Sequence, residues 1–251
     1  MQREGVNKLN EELLKKIQKI KPEVTNEVTN SGTVLTLSGS VQKKPWYADE
    51  DEVFINIETV EKHLNNVEGD ITIRLNSGGG DVFEGIEVYN YLKGLDNHVT
   101  IEITALAASA ASLIAMGADE IKMHTGSSMM VHEASTIAWG NKSDIQKTLN
   151  ALETIDHSIV SIYAERTGAD VEEINNWITE ETWFTADEAV EVGLADSKHE
   201  KKVDNVINIT PETVAEIVAN EMKKYTAQIA PNVTPEPKVT GLNKLFKKKG
   251  E

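Results

Sequence analysis

The segment Thr104-Ala-Leu-Ala-Ala-Ser-Ala-Ala-Ser-Leu-Ile-Ala-Met-Gly117 decides the interpretation of this chain, because it surrounds Ser109 with residues that have almost no side chain. It follows the β-branched stretch 99–104, which predicts a strand, and its alanine content predicts a buried helix directly afterwards. Ser109 is then expected in the first turn of this helix, where free backbone N–H groups can stabilise a developing negative charge. Taken alone, the segment also allows a simpler interpretation, with Ser109 as the N-cap and Ser112 as a small packing residue.

Composition limits the classes of protein to which the chain can belong. Its 251 residues, of which 39% are hydrophobic, suffice for one large domain with a buried core and appendages. The chain has no cysteine, which excludes disulfides, a thiolate nucleophile and zinc–thiolate sites and leaves oxygen nucleophiles, carboxylates and histidine for catalysis. A formal net charge of −16 argues against nucleic acid as a partner, because phosphate contacts need a basic surface.

The hydropathy pattern also bears on location. The first twenty residues are charged throughout and lack the apolar core of a signal peptide, and no later segment has about eighteen apolar residues in a row. We therefore expect a cytoplasmic protein that makes no contact with a membrane.

Four segments are expected along the chain. Residues 1–30 place leucine and isoleucine at helical spacing among lysines, which predicts an amphipathic helical arm that passes into a polar tether. Residues 31–200 alternate between strand and helix patterns and form the main α/β domain. Residues 201–228 are expected to form a helical extension, and 229–251 a proline-spaced, flexible linker with a basic tail.

A glycine loop follows the strand predicted at 70–75. The sequence Asn76-Ser-Gly-Gly-Gly-Asp81 joins this strand to a helix that Gly94 ends. Without side chains, such a loop can bring its backbone N–H groups close to a ligand. It has neither the Gly-Lys-Ser/Thr of a nucleotide-binding P-loop nor the GxGxxG spacing of a dinucleotide fold. A phosphate cradle, an oxyanion donor and a plain tight turn all remain open from these residues alone.

Two histidines and two glutamates complete the set of candidate residues. His124 lies beside a turn and is expected to be an exposed surface residue, whereas His132 ends a strand and can project into a cleft. A long amphipathic helix is predicted at 143–167, ended by Gly168. Beyond it, Glu180 and Glu181 occupy a turn flanked by apolar residues, so they are either partly buried with a partner or exposed on the far side of the turn.

With these segments identified, the chain from about 35 to 196 resembles the ClpP family of serine peptidases. It is most similar to the ClpP-like head maturation (prohead) proteases of tailed phages and prophages. The matching motifs, in the order and approximate spacing of the family, are RLNSGGGDVFEGIEVYNYL, ALAASAASLIAMGAD, MMVHEAS and EETWFTADEAVEVGLAD. The resemblance implies an α/β fold of the ClpP/crotonase type, a right-handed spiral of ββα units, with a helical N-terminal arm and a flexible C-terminal tail.

The resemblance also implies roles for individual residues. Ser109 falls on the nucleophile of the family and His132 on its general base. Glu181 falls on the third member, an aspartate in the family, and Glu180 is the runner-up. The oxyanion would be held by backbone N–H groups of Gly79 or Gly80, together with that of Ala110. No metal ligand and no cofactor are implied.

Departures from the housekeeping peptidase fit the phage branch. Gly78 stands where proline is usual, Ala105 replaces a glycine, and Ala110-Ala111 replaces a methionine-glycine pair. These changes predict no ATPase partner. The expected protein is thus an ATP-independent serine endopeptidase that processes capsid and scaffold proteins, assembles as a homo-oligomeric ring, and acts in the host cytoplasm or within a procapsid. The alternatives are a crotonase-type acyl-CoA enzyme, which would not need Ser109 or His132, and a catalytically inert assembly or scaffold protein.

Overall fold

An eight-stranded mixed sheet organises residues 20–29 and 32–199, the parts of the chain that the computed structural model describes. These residues all belong to one compact unit. The strands in chain order are β1 (Glu23–Thr29), β2 (Gly32–Ser38), β3 (Ile71–Ser77), β4 (Val99–Ala108), β5 (Glu120–His124), β6 (Ser128–Val131), β7 (Thr182–Thr185) and β8 (Ser197–His199). Their order across the sheet is β1-β2-β3-β4-β5-β8, with β6 paired to β4 and β7 paired to β6.

Parallel pairing dominates this sheet. Strands β2, β3, β4, β5 and β8 are successive parallel neighbours, and β6 is also parallel to β4. Only β1 against β2 and β7 against β6 are antiparallel. The apolar runs of β3 and β4 are buried, as in parallel sheets that are covered by helices. This mixed sheet with its helices is the α/β fold class that the motifs predicted, and that prediction is confirmed.

Six helices occur in the described residues: α1 (Ile57–Leu64), α2 (Val82–Lys93), α3 (Ala110–Met116), α4 (Lys142–Thr167), α5 (Val171–Thr179) and α6 (Ala186–Glu191). Local capping explains where several begin. Asp81 accepts hydrogen bonds from the N–H groups of Phe83 and Glu84 at the start of α2. Gly168 ends α4 in the left-handed conformation, with φ 68°, as predicted. None of these helices, within residues 20–29 and 32–199, is long and apolar enough to cross a membrane.

β4 is longer than the sequence predicted. The alanine run after Thr104 was expected to be helical, but it continues as strand to Ala108, and α3 begins only at Ala110. The first half of β4 pairs with β5, whereas Leu106–Ala108 pairs with β6. This second pairing supplies backbone hydrogen bonds that outweigh the helix preference of alanine. It also brings the end of β6 beside the residue that follows β4.

The N-terminal arm is only partly described. Residues 23–29, expected to be a polar tether, form β1, which pairs with β2 from Glu23↔Ser38 to Thr29↔Gly32. The sequence missed this strand because its residues are mostly polar and exposed, so the pattern carries no apolar face. The helix expected before it, in residues 1–19, and the extension and tail at 201–251 lie outside the described residues.

Candidate active site

Ser109 occupies a sharp turn between β4 and α3. Its backbone adopts φ 56° and ψ −128°, a conformation that residues other than glycine rarely take and that costs roughly 1–3 kcal/mol. The N–H of Ser109 donates to the carbonyl of Met130 on β6, at 2.9 Å. Ser109 is the N-cap of α3, but its side chain forms no capping hydrogen bond. The strained turn therefore leaves the hydroxyl free for another partner.

That partner is His132. The Nε2 atom of His132 lies 2.7 Å from the Oγ of Ser109, which is within the range of a hydrogen bond. β6 ends at Val131, so His132 is the first residue after this strand. Because β6 is paired to β4, His132 lies close to the end of β4. The structure thus brings together the two side chains to which the sequence assigned the roles of nucleophile and base.

The glycine loop approaches Ser109 closely. A Cβ atom on Gly79 would lie 2.5 Å from the carbonyl oxygen of Ala108 and 2.7 Å from the Cβ of Ser109. Gly79 also has φ 87°, which favours glycine. Its N–H, however, donates to the Oγ of Ser77 at 3.1 Å. Gly79 is therefore needed for close approach, while its N–H is already engaged.

Two backbone N–H groups beside Ser109 remain unengaged. In the described part of the chain, neither the N–H of Gly80 nor that of Ala110 donates to another protein group. Gly80 and Ala110 both line the cleft that contains Ser109 and His132. Gly80 is held in place by the segment around Val41, whose carbonyl accepts from Asp81 at 2.7 Å. Of the two glycines that the sequence proposed as donors, the geometry favours Gly80.

Among the described residues, neither candidate glutamate forms a hydrogen bond or ion pair with His132. Thr182, the neighbour of Glu181, pairs with Val131, the neighbour of His132, so the two backbones are adjacent as the motif implied. Yet the side chains of Glu180 and Glu181 are exposed, and among the described residues neither makes a hydrogen bond or ion pair. Glu181 has φ 51°, which belongs to a turn rather than to the strand that follows.

Asp156 on α4 is a residue that the sequence analysis missed. Its Oδ1 accepts a hydrogen bond from the N–H of Ala134 at 2.7 Å, and its carboxylate interacts electrostatically with His132. Burial raises the pKa of Asp156 above its ordinary value, and the Ala134 N–H and the His132 imidazole partly oppose this effect. A signal was available: Asp156 continues the apolar stripe of the helix, being seven residues from both Leu149 and Tyr163.

The cleft around these residues has room for an extended substrate. Its volume is about 330 Å³, and it is lined by Gly80 and Asp81 of the glycine loop, the first two residues of α2, Ser109, residues 132–136 and one face of α4. This lining mixes apolar side chains with the few polar groups described above, which is typical of enzyme active sites. A strained serine, an adjacent imidazole and two free N–H groups can together support nucleophilic attack on a carbonyl.

Comparison with known proteins agrees with this chemistry. Residues 51–202 match the family model described as Clp protease. The chain is 32% identical to ATP-dependent Clp protease proteolytic subunit 3 of Rhodococcus jostii over 148 residues, which are 58% of this chain and 71% of that protein. It is 30% identical over 135 residues to the proteolytic subunit of Bacteroides fragilis, covering 53% of this chain and 65% of that one. With proteolytic subunit 1 of Chlamydia abortus the identity is 31% over 158 residues, covering 61% and 75%.

Proposed function

The chain belongs to the Clp protease family and is a serine-type peptidase, and from this premise we propose that Ser109 is its nucleophile and His132 its general base. The observation that carries the proposal is the 2.7 Å contact between His132 Nε2 and Ser109 Oγ. No comparable contact is needed for thioester chemistry of the crotonase type, and an inert assembly protein has no use for a strained serine beside an imidazole.

The proposed reaction follows from the geometry. His132 removes the proton of Ser109 as Oγ attacks the carbonyl carbon of a peptide bond, and the carbonyl oxygen becomes an oxyanion. The free N–H groups of Gly80 and Ala110 stabilise this oxyanion. Protonated His132 then gives the proton to the leaving amine, which leaves an acyl group on Ser109. Water activated by the same imidazole releases the acyl group and restores both side chains.

A fluorophosphonate probe tests this assignment, because it reacts with an activated serine without requiring a known substrate. We expect wild-type protein to be labelled, Ser109→Ala to lose labelling completely, and His132→Ala to lose most of it. Ser158→Ala is the control and should label like wild type, since Ser158 is an exposed serine of α4 whose hydroxyl bonds to the carbonyl of Thr154 and which does not line the cleft. Labelling that persists in Ser109→Ala, or a folded wild type that never reacts, would contradict the proposal.

We also propose that the protein acts as a homo-oligomer, in a ring. Large apolar side chains are almost fully exposed in the loop before α4, namely Ile137 at 98% and Trp139 at 94%, and Ile145 and Leu149 continue the apolar surface along α4. Apolar surface of this kind is typical of protein interfaces. Native mass spectrometry should show a discrete oligomer that Trp139→Asp together with Ile137→Asp weakens. A monomer at micromolar concentration would contradict this proposal.

A further proposal concerns which proteins the peptidase cleaves and whether it requires ATP. The glycine and alanine replacements at positions 78, 105 and 110–111 support an ATP-independent endopeptidase of the head-maturation type that acts in the cytoplasm on capsid and scaffold proteins. This narrower assignment rests on the motifs, because the relatives named above are proteolytic subunits of ATP-dependent Clp proteases. Incubation without nucleotide should cleave a capsid or scaffold protein at few positions, as seen by intact-mass analysis. Cleavage only in the presence of an ATPase would contradict it.

We also propose domain boundaries at about residues 30, 200 and 228, with residues 31–200 as the peptidase domain. Because β1 pairs with β2, we expect protection to include this strand as well. Limited proteolysis followed by mass spectrometry should leave a protected fragment that begins near residue 20 and ends near residue 200. Protection that extends through residues 201–251 would contradict these boundaries.

A further inference from the structure

His132 has an unused nitrogen on the side opposite Ser109. Among the described residues, Nδ1 of His132 makes no hydrogen bond, although its Nε2 contacts Ser109. A serine–histidine pair works best when an acceptor on Nδ1 fixes the tautomer and stabilises the imidazolium that forms during the reaction. The question is therefore which carboxylate lies near enough to take this position.

Asp156 is the carboxylate that the structure brings to the segment directly after His132. It lies on the same face of α4 as Leu152 and Ile159, which line the cleft. It also accepts a hydrogen bond from the N–H of Ala134, which is only two residues beyond His132. Only Oδ1 of Asp156 is engaged, so Oδ2 is available within the described structure. Glu133 and His157 are the other charged groups that act on this carboxylate. Glu180 and Glu181, by contrast, are exposed, and among the described residues their side chains form no hydrogen bond or ion pair with His132.

We propose that Asp156, on the long helix α4, is the residue that positions His132, in place of a carboxylate in the turn before β7. Asp156 touches neither Ser109 nor the substrate and acts through the imidazole. Its Oδ1 holds the backbone that follows His132, and its Oδ2 accepts the Nδ1 hydrogen when the imidazole adopts its working orientation. This inference rests on the proposed function of Ser109 and His132.

Asp156→Asn is the decisive variant, because asparagine keeps an oxygen that can accept from Ala134 and removes only the negative charge. We expect the rate of fluorophosphonate labelling and the kcat for a peptide substrate to fall about 10²- to 10⁴-fold, with little change in KM. Glu181→Gln and Glu180→Gln are the matched controls and should stay within about twofold of wild type.

The outcomes separate this inference from the proposed function. If Ser109→Ala abolishes labelling but folded Asp156→Asn labels like wild type, the role of Asp156 is wrong and the proposed function stands. If Glu181→Gln falls as far as Asp156→Asn, the turn glutamate is the positioning residue. Wild type that never labels contradicts the proposed function itself. A crystal structure of wild type modified at Ser109 tests the inference without any variant: an oxygen of Asp156 should lie within about 3.2 Å of His132 Nδ1, and any other arrangement overturns it.

A second cluster of ionisable side chains lies on the sheet and shares no residue with the lining of the Ser109 cleft. Glu102 on β4, His124 at the end of β5 and His199 at the end of β8 offer three ligand atoms that all lie within 4.8 Å of one another. His124 Nε2 is 3.8 Å and His199 Nδ1 is 3.9 Å from the two carboxylate oxygens of Glu102. His124 was expected to be exposed, yet its side chain is only 33% exposed and stacks on His199.

A second observation concerns the polar atoms of this cluster. Nε2 of His124 is buried and has no hydrogen-bond partner among residues 20–29 and 32–199, which is costly for a polar atom. We propose that Glu102, His124 and His199 bind a divalent transition metal ion of the zinc class, whose preferred ligands include imidazole nitrogen and carboxylate oxygen. Bound there, the ion would fasten β8 to β4 and β5.

The geometry needs only modest adjustment. Bond lengths of about 2.0–2.2 Å place neighbouring ligand atoms roughly 3.4 Å apart in a tetrahedral site. The two histidine–Glu102 distances of 3.8 and 3.9 Å must therefore shorten by about 0.5 Å, and the distance between the two imidazole nitrogens, which is within 4.8 Å, by up to about 1.4 Å. The two rings are parallel within 6°, and each must turn towards the ion because its lone pair lies in the ring plane. Both side chains are about one-third exposed, so each ring has solvent on part of its surface. Arg74, whose Nε is 3.5 Å from Glu102 Oε2, can keep this contact if the ion takes Oε1.

Titration calorimetry of tag-free full-length protein with zinc chloride tests the site. We expect one ion per subunit, and at least about tenfold weaker binding in His124→Ala, His199→Ala and Glu102→Gln. His98→Ala is the matched control, because His98 also lies near a carboxylate, 3.7 Å from Asp119, but without a third ligand. Fluorophosphonate labelling should be unchanged in all four variants. Binding weaker than about 1 mM, or equal binding in wild type and the three ligand variants, would overturn the proposal.

Discussion

The hydroxyl of Tyr163 lies 2.7 Å from that of Ser112, so α4 is hydrogen-bonded directly to α3, the helix that begins at Ser109. Both side chains are buried, and Ser112 also donates to the carbonyl oxygen of Ser109 at 2.6 Å. Burial raises the pKa of Tyr163 well above its ordinary range, so the phenol remains a neutral hydrogen-bonding group at any physiological pH. The long helix therefore supports the turn that presents the nucleophile.

Tyr163→Phe tests the contribution of this bond to stability. Phenylalanine keeps the ring and removes only the hydroxyl, and we expect the free energy of unfolding to fall by about 1 kcal/mol. Urea denaturation of both proteins measures the difference. Tyr91→Phe is the matched control, because the hydroxyl of Tyr91 makes no hydrogen bond within the described residues, while its ring packs against the core. Equal losses in the two variants would show that the Tyr163–Ser112 bond contributes nothing specific.

Gly79→Ala tests the close approach of the glycine loop to Ser109. The added methyl group would meet backbone at 2.5 Å and would also sit at a positive φ, so we expect more than about 3 kcal/mol of destabilisation and loss of fluorophosphonate labelling. Gly126→Ala is the control with a similar φ of 84° but nothing within 4 Å, and it should cost only about 1 kcal/mol. A Gly79→Ala protein that folds and labels normally would refute the described loop geometry.

Asp196→Ala tests a contact that fastens the chain after α6. One carboxylate oxygen of Asp196 accepts from the N–H of Ile121 at 2.6 Å and also pairs with Arg166, whose side chain is 14% exposed. Removing this carboxylate takes a partner away from both the Ile121 N–H and the Arg166 guanidinium. We expect the free energy of unfolding measured in urea to fall by about 2 kcal/mol. Asp187→Ala breaks the exposed pair with Lys198 and should change stability by less than about 1 kcal/mol. A reversed ranking would contradict this interpretation.

Glu188 should contribute to the acid sensitivity of folding. The N–H and the hydroxyl of Thr185 both donate to its carboxylate at 2.8 Å and lower its pKa below the ordinary value. Because the folded state has the lower pKa, this stabilisation is present at neutral pH and is lost as the pH falls through the folded value. Denaturation between about pH 6 and pH 3 should therefore show a smaller decline in stability for Glu188→Gln than for wild type. Identical declines would indicate that this cap makes no measurable contribution.

The sequence was sufficient for the fold class, the enzyme class and several local elements. The predicted strand at 70–75, the glycine loop, and the helices ended by Gly94 and Gly168 all depend on short-range features: alternation, turn chemistry and caps. The pairing of Ser109 with His132 was expected from motif order, and their contact in the structure has the distance that the proposed chemistry needs.

Other features depended on contacts between distant parts of the chain. β4 extends to Ala108 because β6 supplies hydrogen bonds, which the alanine content of the segment cannot reveal. Gly79 and Gly80 look equivalent as sequence, yet Ser77 engages the N–H of only one of them. His124 looked exposed because the pattern around it could not show that His199 would pack against its ring.

The choice between Asp156 and Glu181 as the carboxylate near His132 shows most clearly what the sequence can determine and what only the tertiary structure decides. The sequence by itself determined that a serine, a histidine and a glycine loop belong to one α/β domain, because each lies in a short motif that can be recognised from its neighbouring residues. Only the tertiary structure decided that Asp156 lies beside Ala134 while Glu181 is exposed. The reason is physical: the environment of a carboxylate is set by which helix face packs against the cleft, and that packing depends on residues far away in the chain.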